Sequence, residues 1–148
     1  MDTHKFLDEI VRPTIAEYEA DRTSLRKAFL ACVVTFHTID YLSGPRKKSG
    51  NLRKKFRKES RDFALVDSVA HAFKHVESDG NPGLPVSEII LRPPAIWDNG
   101  FTFDLSRWDD EKGGVTLDKD RDIDLLDVLT RSVEFLQTKI KAVETFQD

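Results

Sequence analysis

The stretch DFALVDSVAHAFKHV, residues 62–76, is typical of one amphipathic helix and holds two of the four histidines of the chain. At 100° per residue its apolar side chains fall on one side of that helix, and a polar flank carries Asp67, His71, Lys74 and His75. Asp67, His71 and His75 are spaced i, i+4 and i+8, so successive pairs can touch. The flank is either an ordinary solvated face or one half of a site that a neighbouring helix completes.

That neighbouring helix is predicted over residues 24–42, the most apolar part of the chain. Because it is apolar on nearly all sides, we expect it to be buried on several of them and to pack against residues 62–76. Asp40 falls by wheel angle on an apolar side of this helix, and a buried carboxylate needs a partner. We therefore expect at least one polar pair to meet across the two helices, drawn from His37, Asp40, Asp67, His71 and His75.

The whole pattern predicts a mainly α protein (α+β) with a single domain over residues 1–148. Helices are also predicted over 3–20 and 123–146, and the last has the strongest three- and four-residue periodicity. Residues 84–118 combine alternation with turn signals and predict a β insert. The expected architecture is a four- to five-helix bundle, with an antiparallel β-hairpin or three-stranded sheet inserted before the C-terminal helix. The strands of that sheet are predicted at 86–91, 101–105 and 115–117.

Composition indicates a cytoplasmic protein with no membrane partner. A length of 148 residues suits one domain, and Cys32 is the only cysteine, so no intramolecular disulfide can form. The N-terminal residues lack the basic and apolar regions of a signal peptide. The longest nearly apolar run, residues 28–36, is too short to span a bilayer.

Charge is distributed very unevenly along the chain. Residues 46–61 contain nine Lys or Arg and one Glu, a local charge of +8, so the rest of the chain carries −11 for the net −3. We interpret residues 46–60 as a basic, mobile loop, with a short helix over 52–59 as the alternative. Such a segment can contact an anionic partner, or it can be attracted to the acidic C-terminal third of the chain.

Nucleic acid is one such anionic partner. Only Phe56 interleaves the basic residues, so a stacking platform of several aromatics is absent and any contact would be to phosphate, blind to sequence. The predicted contacts are Lys54, Lys55, Arg57 and Lys58.

Three segments carry a resemblance to known proteins: EIVRPTIAEYEADRTSLRKAF (9–29), FHTIDYL (36–42) and DSVAHAFKHV (67–76). Together they resemble a group of small bacterial helical proteins that share an FHxxDYL…DxxAHAFKH pattern. More distantly, residues 66–71 are similar to the signature of HEPN-type helical bundles, many of which are RNases or RNA-associated modules. That signature is an Arg, then usually Asn or Asp, three residues, and His.

The match to the HEPN signature is partial. Asp67 and His71 occupy the polar positions and are the only candidates for catalysis, but Val66 stands where the arginine belongs. Arg and His would jointly bind the scissile phosphate in that family, and the Lys74 ammonium does not reproduce a bidentate guanidinium. The resemblance therefore implies a non-catalytic HEPN-like module that binds RNA or a protein, without a cofactor.

Two other interpretations of the polar residues stay open. His37, Asp40, His71 and His75 have the donor atoms for a divalent metal, which makes a metal-binding bundle the alternative function. The remaining interpretation is structural, with His71 or Lys74 neutralising a buried Asp40. The apolar helices would also allow a homodimer.

Overall fold

The computed structural model describes residues 1–44, 48–72, 89–95, 110–117 and 123–145. In chain order it has an N-terminal helical segment, three further helices, a three-stranded antiparallel sheet and a long C-terminal helix. The predicted fold class is therefore confirmed: a mainly α bundle with a small sheet before the last helix.

The N-terminal segment stays helical from residue 3 to residue 19. Helix α1 (Thr3–Phe6) continues through a π-helical turn (Leu7–Val11) into α2 (Arg12–Glu19). The Asp2 carboxylate accepts a hydrogen bond from the backbone N–H of Lys5 at 2.8 Å, which satisfies one unpaired donor of the first turn. The apolar residues of the segment pack against the C-terminal helix; those fully buried are Phe6, Leu7, Val11 and Tyr18.

Helix α3 (Leu25–Ser43) is the central element, and it contacts the N-terminal segment and the two helices that complete the core. It begins at Ser24, whose hydroxyl accepts a hydrogen bond from the Lys27 N–H, and ends at Gly44 with φ of +74°, an angle that favours glycine. One side of the helix is not buried, since Leu30 and Tyr41 are exposed. The buried side comprises Ala28, Phe29, Ala31, Cys32, Thr35, Thr38 and Ile39.

Helix α4 (Gly50–Glu59) corrects the prediction of a mobile loop over residues 46–60. The described part of that segment is helical over ten residues, which agrees with the alternative of a short helix. The physical reason is Phe56, which is buried among aromatic and aliphatic side chains of three other helices. Since burying a phenylalanine contributes about 1.5–3 kcal/mol, one apolar residue is enough to dock a short basic helix.

Helix α5 (Arg61–Ala72) follows α4 almost directly and turns back along it. Ser60 separates them in an extended conformation (φ −136°, ψ 118°), and its hydroxyl accepts a hydrogen bond from the Phe63 N–H at 3.1 Å. The helix packs against α3, as predicted for residues 62–76, and also against the C-terminal helix. Residues 73–76 of that prediction lie outside the described residues.

The sheet contains β1 (Ile89–Arg92), β2 (Gly114–Leu117) and β3 (Ile123–Asp124), paired in that order. Strand β2 is central and buried along its length. It is joined to the helices by the N–H of Val115, which donates to the Tyr18 hydroxyl oxygen at 3.2 Å. The predictions at 86–91 and 115–117 correspond to β1 and β2 in their described parts, and the predicted strand at 101–105 lies outside the described residues.

Helix α6 (Leu125–Thr145) begins two residues later than predicted, because Ile123 and Asp124 pair with β2 as a strand. The Asp124 carboxylate accepts a hydrogen bond from the Leu126 N–H at 2.9 Å, so Asp124 caps the helix from outside it. The predicted periodicity is reproduced in the core, where the buried residues of this helix are Leu125, Val128, Leu129, Ser132, Val133, Leu136 and Ile140.

Candidate functional site

A fully buried carboxylate, Asp67, lies at the contact between α4 and α5. Its Oδ2 accepts a hydrogen bond from the Arg53 Nε at 2.9 Å and another from the Arg57 Nη1. Both arginines come from α4, one turn apart, and reach Asp67 from the side of the helix next to Phe56. Two guanidinium groups therefore face one buried negative charge, an arrangement that offsets part of the cost of burying it.

His71 lies one turn after Asp67 on the same helix and faces the same cluster. Its Nδ1 is 2.9 Å from the backbone oxygen of Asp67 and 3.0 Å from Oδ1 of the carboxylate. Since a carbonyl oxygen can only accept, Nδ1 carries the proton and donates it to the backbone. The imidazole thus has a fixed tautomer and orientation, while its side chain stays 25% exposed.

Phe36 of α3 forms the other wall of this cluster. Its ring meets the His71 ring edge-on, with centroids 5.1 Å apart, and the Arg53 guanidinium carbon lies 5.6 Å from its centre. Both are distances at which aromatic rings attract imidazole edges and cations. Together, Arg53, Arg57, Asp67, His71 and Phe36 form one packed unit, called here the Asp67 cluster.

His37 and Asp40 form a separate pair on the surface of α3. The Nδ1 of His37 is 2.7 Å from Oδ2 of Asp40, and the two side chains are 47% and 49% exposed. The prediction of a buried Asp40 is therefore wrong, because the side of α3 that carries it is exposed and α4 contacts it through Ser49, at the start of that helix. Partial burial alone would raise the pKa of Asp40, but hydrogen bonds from His37 and Ser49 outweigh it and lower that pKa.

The described contacts do not join the two histidine–aspartate pairs. Among the described hydrogen bonds and ion pairs, His37 is bonded to Asp40 and His71 to Asp67, each within its own helix, rather than across the helices as expected. His37 and His71 instead border one groove between α3 and α5, with Phe36 between them. The remaining predicted residues, Lys74 and His75, lie outside the described residues.

The structure sorts the four predicted nucleic-acid contacts into two groups. Lys54, Lys55 and Lys58 are exposed and lie on one face of α4, about 100° wide. Arg57 instead points into the Asp67 cluster, and only 26% of its side chain is exposed. Glu59, the acidic residue of this helix, lies 2.6 Å from the Nζ of Lys139 on α6, a contact that lowers the Glu59 pKa.

Sequence reasoning missed Arg53 and Phe36 as members of the cluster. A signal for Arg53 does exist in the sequence, since Arg53 and Arg57 are spaced i, i+4 and flank Phe56. Seeing it required α4 to be assigned as a helix with Phe56 at its buried centre. Phe36 carried no separate signal, because it belongs to an apolar stripe like any other core residue.

A second set of paired charges ties the sheet to the helices. The Arg92 Nη2 is 2.6 Å from Asp110 and 3.4 Å from Asp124, and Arg22 also donates to Asp124. Two arginines and two aspartates balance in charge, and all four side chains are largely buried. The set therefore has the character of a structural connection between α2–α3, the sheet and α6.

Two further features of the described residues concern metal ligands and membrane-spanning helices. Within those ranges, no group of three or more His, Cys, Asp or Glu side chains is placed to hold a metal ion. The predicted metal site includes His75, which lies outside them, so it stays a prediction. No helix in the described part of the chain has the length and apolarity needed to cross a bilayer.

Comparison of the chain with protein-family models, with curated proteins and with solved structures finds no match in any of the three.

Proposed function

We propose that this protein is a non-catalytic helical module that binds RNA through its phosphate backbone, with Lys54, Lys55 and Lys58 of α4 as the contact surface. The observation that carries the proposal is the division of charge on α4. Its two arginines are bonded to Asp67 on the inside, and its three lysines are exposed together on the outside.

The Asp67 cluster supports the proposal by holding the lysines in place. A short helix of ten residues is not stable alone in water, so α4 depends on its contacts with the bundle. Phe56 and the two arginines supply those contacts. The lysine face is therefore fixed to a rigid support, which reduces the ordering cost of binding an extended polyanion.

The chemistry of the surface favours phosphate over bases. Phe56 is buried, so α4 offers no exposed aromatic ring on which a base could stack. Lysine ammonium groups contact phosphate as point charges, without reading sequence. Binding by this surface is expected to be salt-sensitive and to show little sequence preference.

Features of the Asp67 cluster also favour a non-catalytic role. Asp67 is fully buried and held by two guanidinium groups, so it is out of reach of a substrate as a general base. Val66, at the position of the signature arginine, is likewise fully buried in the apolar core. His71, Arg53 and Arg57 are each about a quarter exposed, but both guanidinium groups are bonded to Asp67, and the cluster offers His71 no second exposed acid or base for phosphodiester cleavage.

The test is binding of a fluorescein-labelled, mixed-sequence single-stranded RNA of about 20 nucleotides, followed by fluorescence anisotropy at several salt concentrations. Since each phosphate contact to single-stranded nucleic acid contributes a slope of about −0.7 in log K against log salt, loss of three contacts should reduce the slope by about 2. The charge-reversal variant K54E/K55E/K58E is expected to lose binding at low salt.

A matched control separates the surface from the overall charge. The variant K5E/R12E/K112E makes the same change in net charge at three exposed residues outside α4, and it should bind RNA nearly as tightly as the natural chain. The proposal is overturned if the natural chain does not bind RNA at about 50 mM salt, or if the control loses as much affinity as the α4 variant.

A further inference from the structure

One side of α3 remains uncovered by the other described elements, although α3 is the central helix of the bundle. Leu30 is 41% exposed on this side, together with the partly exposed Val33, and Tyr41 at its edge is 38% exposed although its ring stacks on Phe6 of α1. Part of α3 therefore presents apolar side chains at the surface of the described structure, a feature that marks interaction surfaces.

Five exposed or partly exposed residues on this side of α3 follow a heptad pattern. Successive members are four, three, four and three residues apart, which is the spacing of a coiled-coil seam. They span about four turns of α3 and lie within about 80° of one another on the helical wheel. The residues of this stripe, called here the α3 stripe, are Arg26, Leu30, Val33, His37 and Asp40.

Charge is placed at the two ends of the α3 stripe with opposite signs. Arg26 is near the N-terminal end of the helix and Asp40 near its C-terminal end, with the apolar residues between them. Fourteen residues at 1.5 Å each put the two about 21 Å apart along the helix, so they cannot pair within one molecule. Arg26 is exposed, and none of the described ion pairs includes it.

A groove borders the α3 stripe on each side. One, with a volume of about 770 Å³, lies between α1 and the Val34 and Tyr41 side of α3. The other, of about 400 Å³, lies between α5 and the Leu30 and Val33 side. The stripe is thus a ridge between two apolar grooves, a shape that allows the side chains of one helix to pack between those of another.

We infer that the α3 stripe binds the same stripe of a second copy of this chain, in an antiparallel, two-fold symmetric pair centred near Val33. A two-fold axis reverses the helix direction, so Arg26 of each copy faces the His37 and Asp40 end of the other. The same operation brings the apolar residues together at the centre. The stripe is therefore complementary to itself in both charge and hydrophobicity, and an unrelated partner would have no reason to match both.

The size of the surface sets the expected affinity. A single four-turn stripe with its flanking grooves falls at the low end of specific interfaces, which bury about 800 Å² per partner in the standard case. We expect a dimer with a dissociation constant in the micromolar range, measurable by sedimentation velocity between about 1 and 300 µM protein. This readout is molecular mass, so it is independent of whether the lysine face of α4 binds RNA.

A pair of leucines on α3 provides the first test. Leu30 lies in the stripe, while Leu25 has nearly the same exposure, 38%, but lies about 140° away from Leu30 around the helix. L30E should convert the protein to a monomer across the concentration range, and L25E should leave the dimer intact. Equal effects of the two substitutions would overturn the proposal, and so would a natural chain that is monomeric at about 300 µM.

The charged ends provide the decisive test. R26D and D40R each create two repulsive contacts across the two-fold axis and should raise the dissociation constant at least about tenfold. An equimolar mixture of R26D and D40R chains restores both contacts, one with the natural polarity and one reversed. The double variant R26D/D40R alone restores both with reversed polarity. Recovery of the dimer in both cases is the expected result. Failure of both to recover, with circular dichroism showing folded helices, would exclude this pairing.

Discussion

Two aspartates of the bundle each lie one helical turn from a histidine, yet their surroundings are opposite. Asp67 is fully buried and bonded to Arg53 and Arg57 as well as to its histidine. Asp40 is half exposed, with His37 at 2.7 Å. Spacing along the helix therefore does not determine what a histidine–aspartate pair does. The difference comes from the neighbouring helix, since α4 folds back against α5 and brings two arginines to Asp67, whereas its contact with Asp40 is through Ser49 at its start.

A carboxylate takes a structural role when cations from another helix or strand are fixed beside it. Around Asp67, the Arg53 guanidinium is held by packing as well as charge, because it lies against the ring of Phe36. Around Asp40, water solvates both partners, and water weakens such a pair to a few tenths of a kcal/mol. The predictions below test this contrast, beginning with the largest expected effect.

Removing the buried carboxylate should have the largest effect on stability. Asp67→Ala leaves two partly buried guanidinium groups without a counter-charge, and we expect a cost of up to about 3 kcal/mol, the lower end of the range for breaking a buried ion pair. Urea unfolding followed by circular dichroism measures the change. The matched substitution Asp40→Ala should cost less than about 1 kcal/mol, because its partner returns to water.

A compensating variant identifies the cause of the Asp67 effect. R53M/R57M/D67L removes all three charges and fills the space with apolar side chains, so it should recover much of the stability that Asp67→Ala loses. If the triple variant is as unstable as Asp67→Ala, the loss is one of packing and not of unpaired charge.

The two arginines should differ from the lysines beside them on the same helix. Arg57→Met or Arg53→Met removes one of the two charged hydrogen bonds to Asp67, and each should cost about 1.5–3 kcal/mol in urea unfolding. Lys54→Met and Lys58→Met lie on the exposed face and should change stability by less than about 0.5 kcal/mol each. Equal changes in stability on substitution of the arginines and of the lysines would contradict the division of α4 into a buried and an exposed face.

The same contrast shows how far the sequence could lead. The helices, the sheet and its place before α6 follow from periodicity and turn signals, because each is a local pattern. The helical wheel also brought Asp67 and His71 close together correctly. It left open whether they lie on a solvated face or in a site that a neighbouring helix completes, since nothing within residues 62–76 reveals that α4 covers Asp67.

The errors have one physical origin, the strength of a single apolar anchor in a charged segment. Eight Lys or Arg of residues 46–60 made a loop look favourable, yet burial of Phe56 docks the segment as α4 and brings its arginines to Asp67. The prediction for Asp40 was wrong for the opposite reason, because a helix face that is apolar in the sequence is exposed in the structure. The Arg22–Asp124 bond joins residues 102 positions apart, and no local pattern could reveal it.

Substitutions of the two histidines should show the same difference between the two sites, with smaller changes in stability. His71→Gln removes a ring that packs edge-on against Phe36 and bonds to the Asp67 backbone, and it should cost about 1 kcal/mol. His37→Gln, on the exposed side of α3, should cost less than about 0.5 kcal/mol. Thermal unfolding at neutral pH compares them directly. A larger cost for His37 would mean that the α3 surface is covered in solution, which a dimer at high protein concentration would produce.

The smallest expected effect is the pH dependence contributed by Asp40. Its pKa in the fold lies below the ordinary value of 3.8, so the charged carboxylate stabilises the fold and the contribution is complete above pH 3.8. As the pH falls through the lowered pKa, the carboxylate is protonated and the contribution disappears. Asp40→Asn should therefore be less stable than the natural chain by a few tenths of a kcal/mol at pH 6, and equal to it near pH 2. Urea midpoints at both pH values, at low protein concentration, measure this. A difference that persists in acid would show that Asp40 acts through packing, and a difference above about 1 kcal/mol would place it with Asp67 after all.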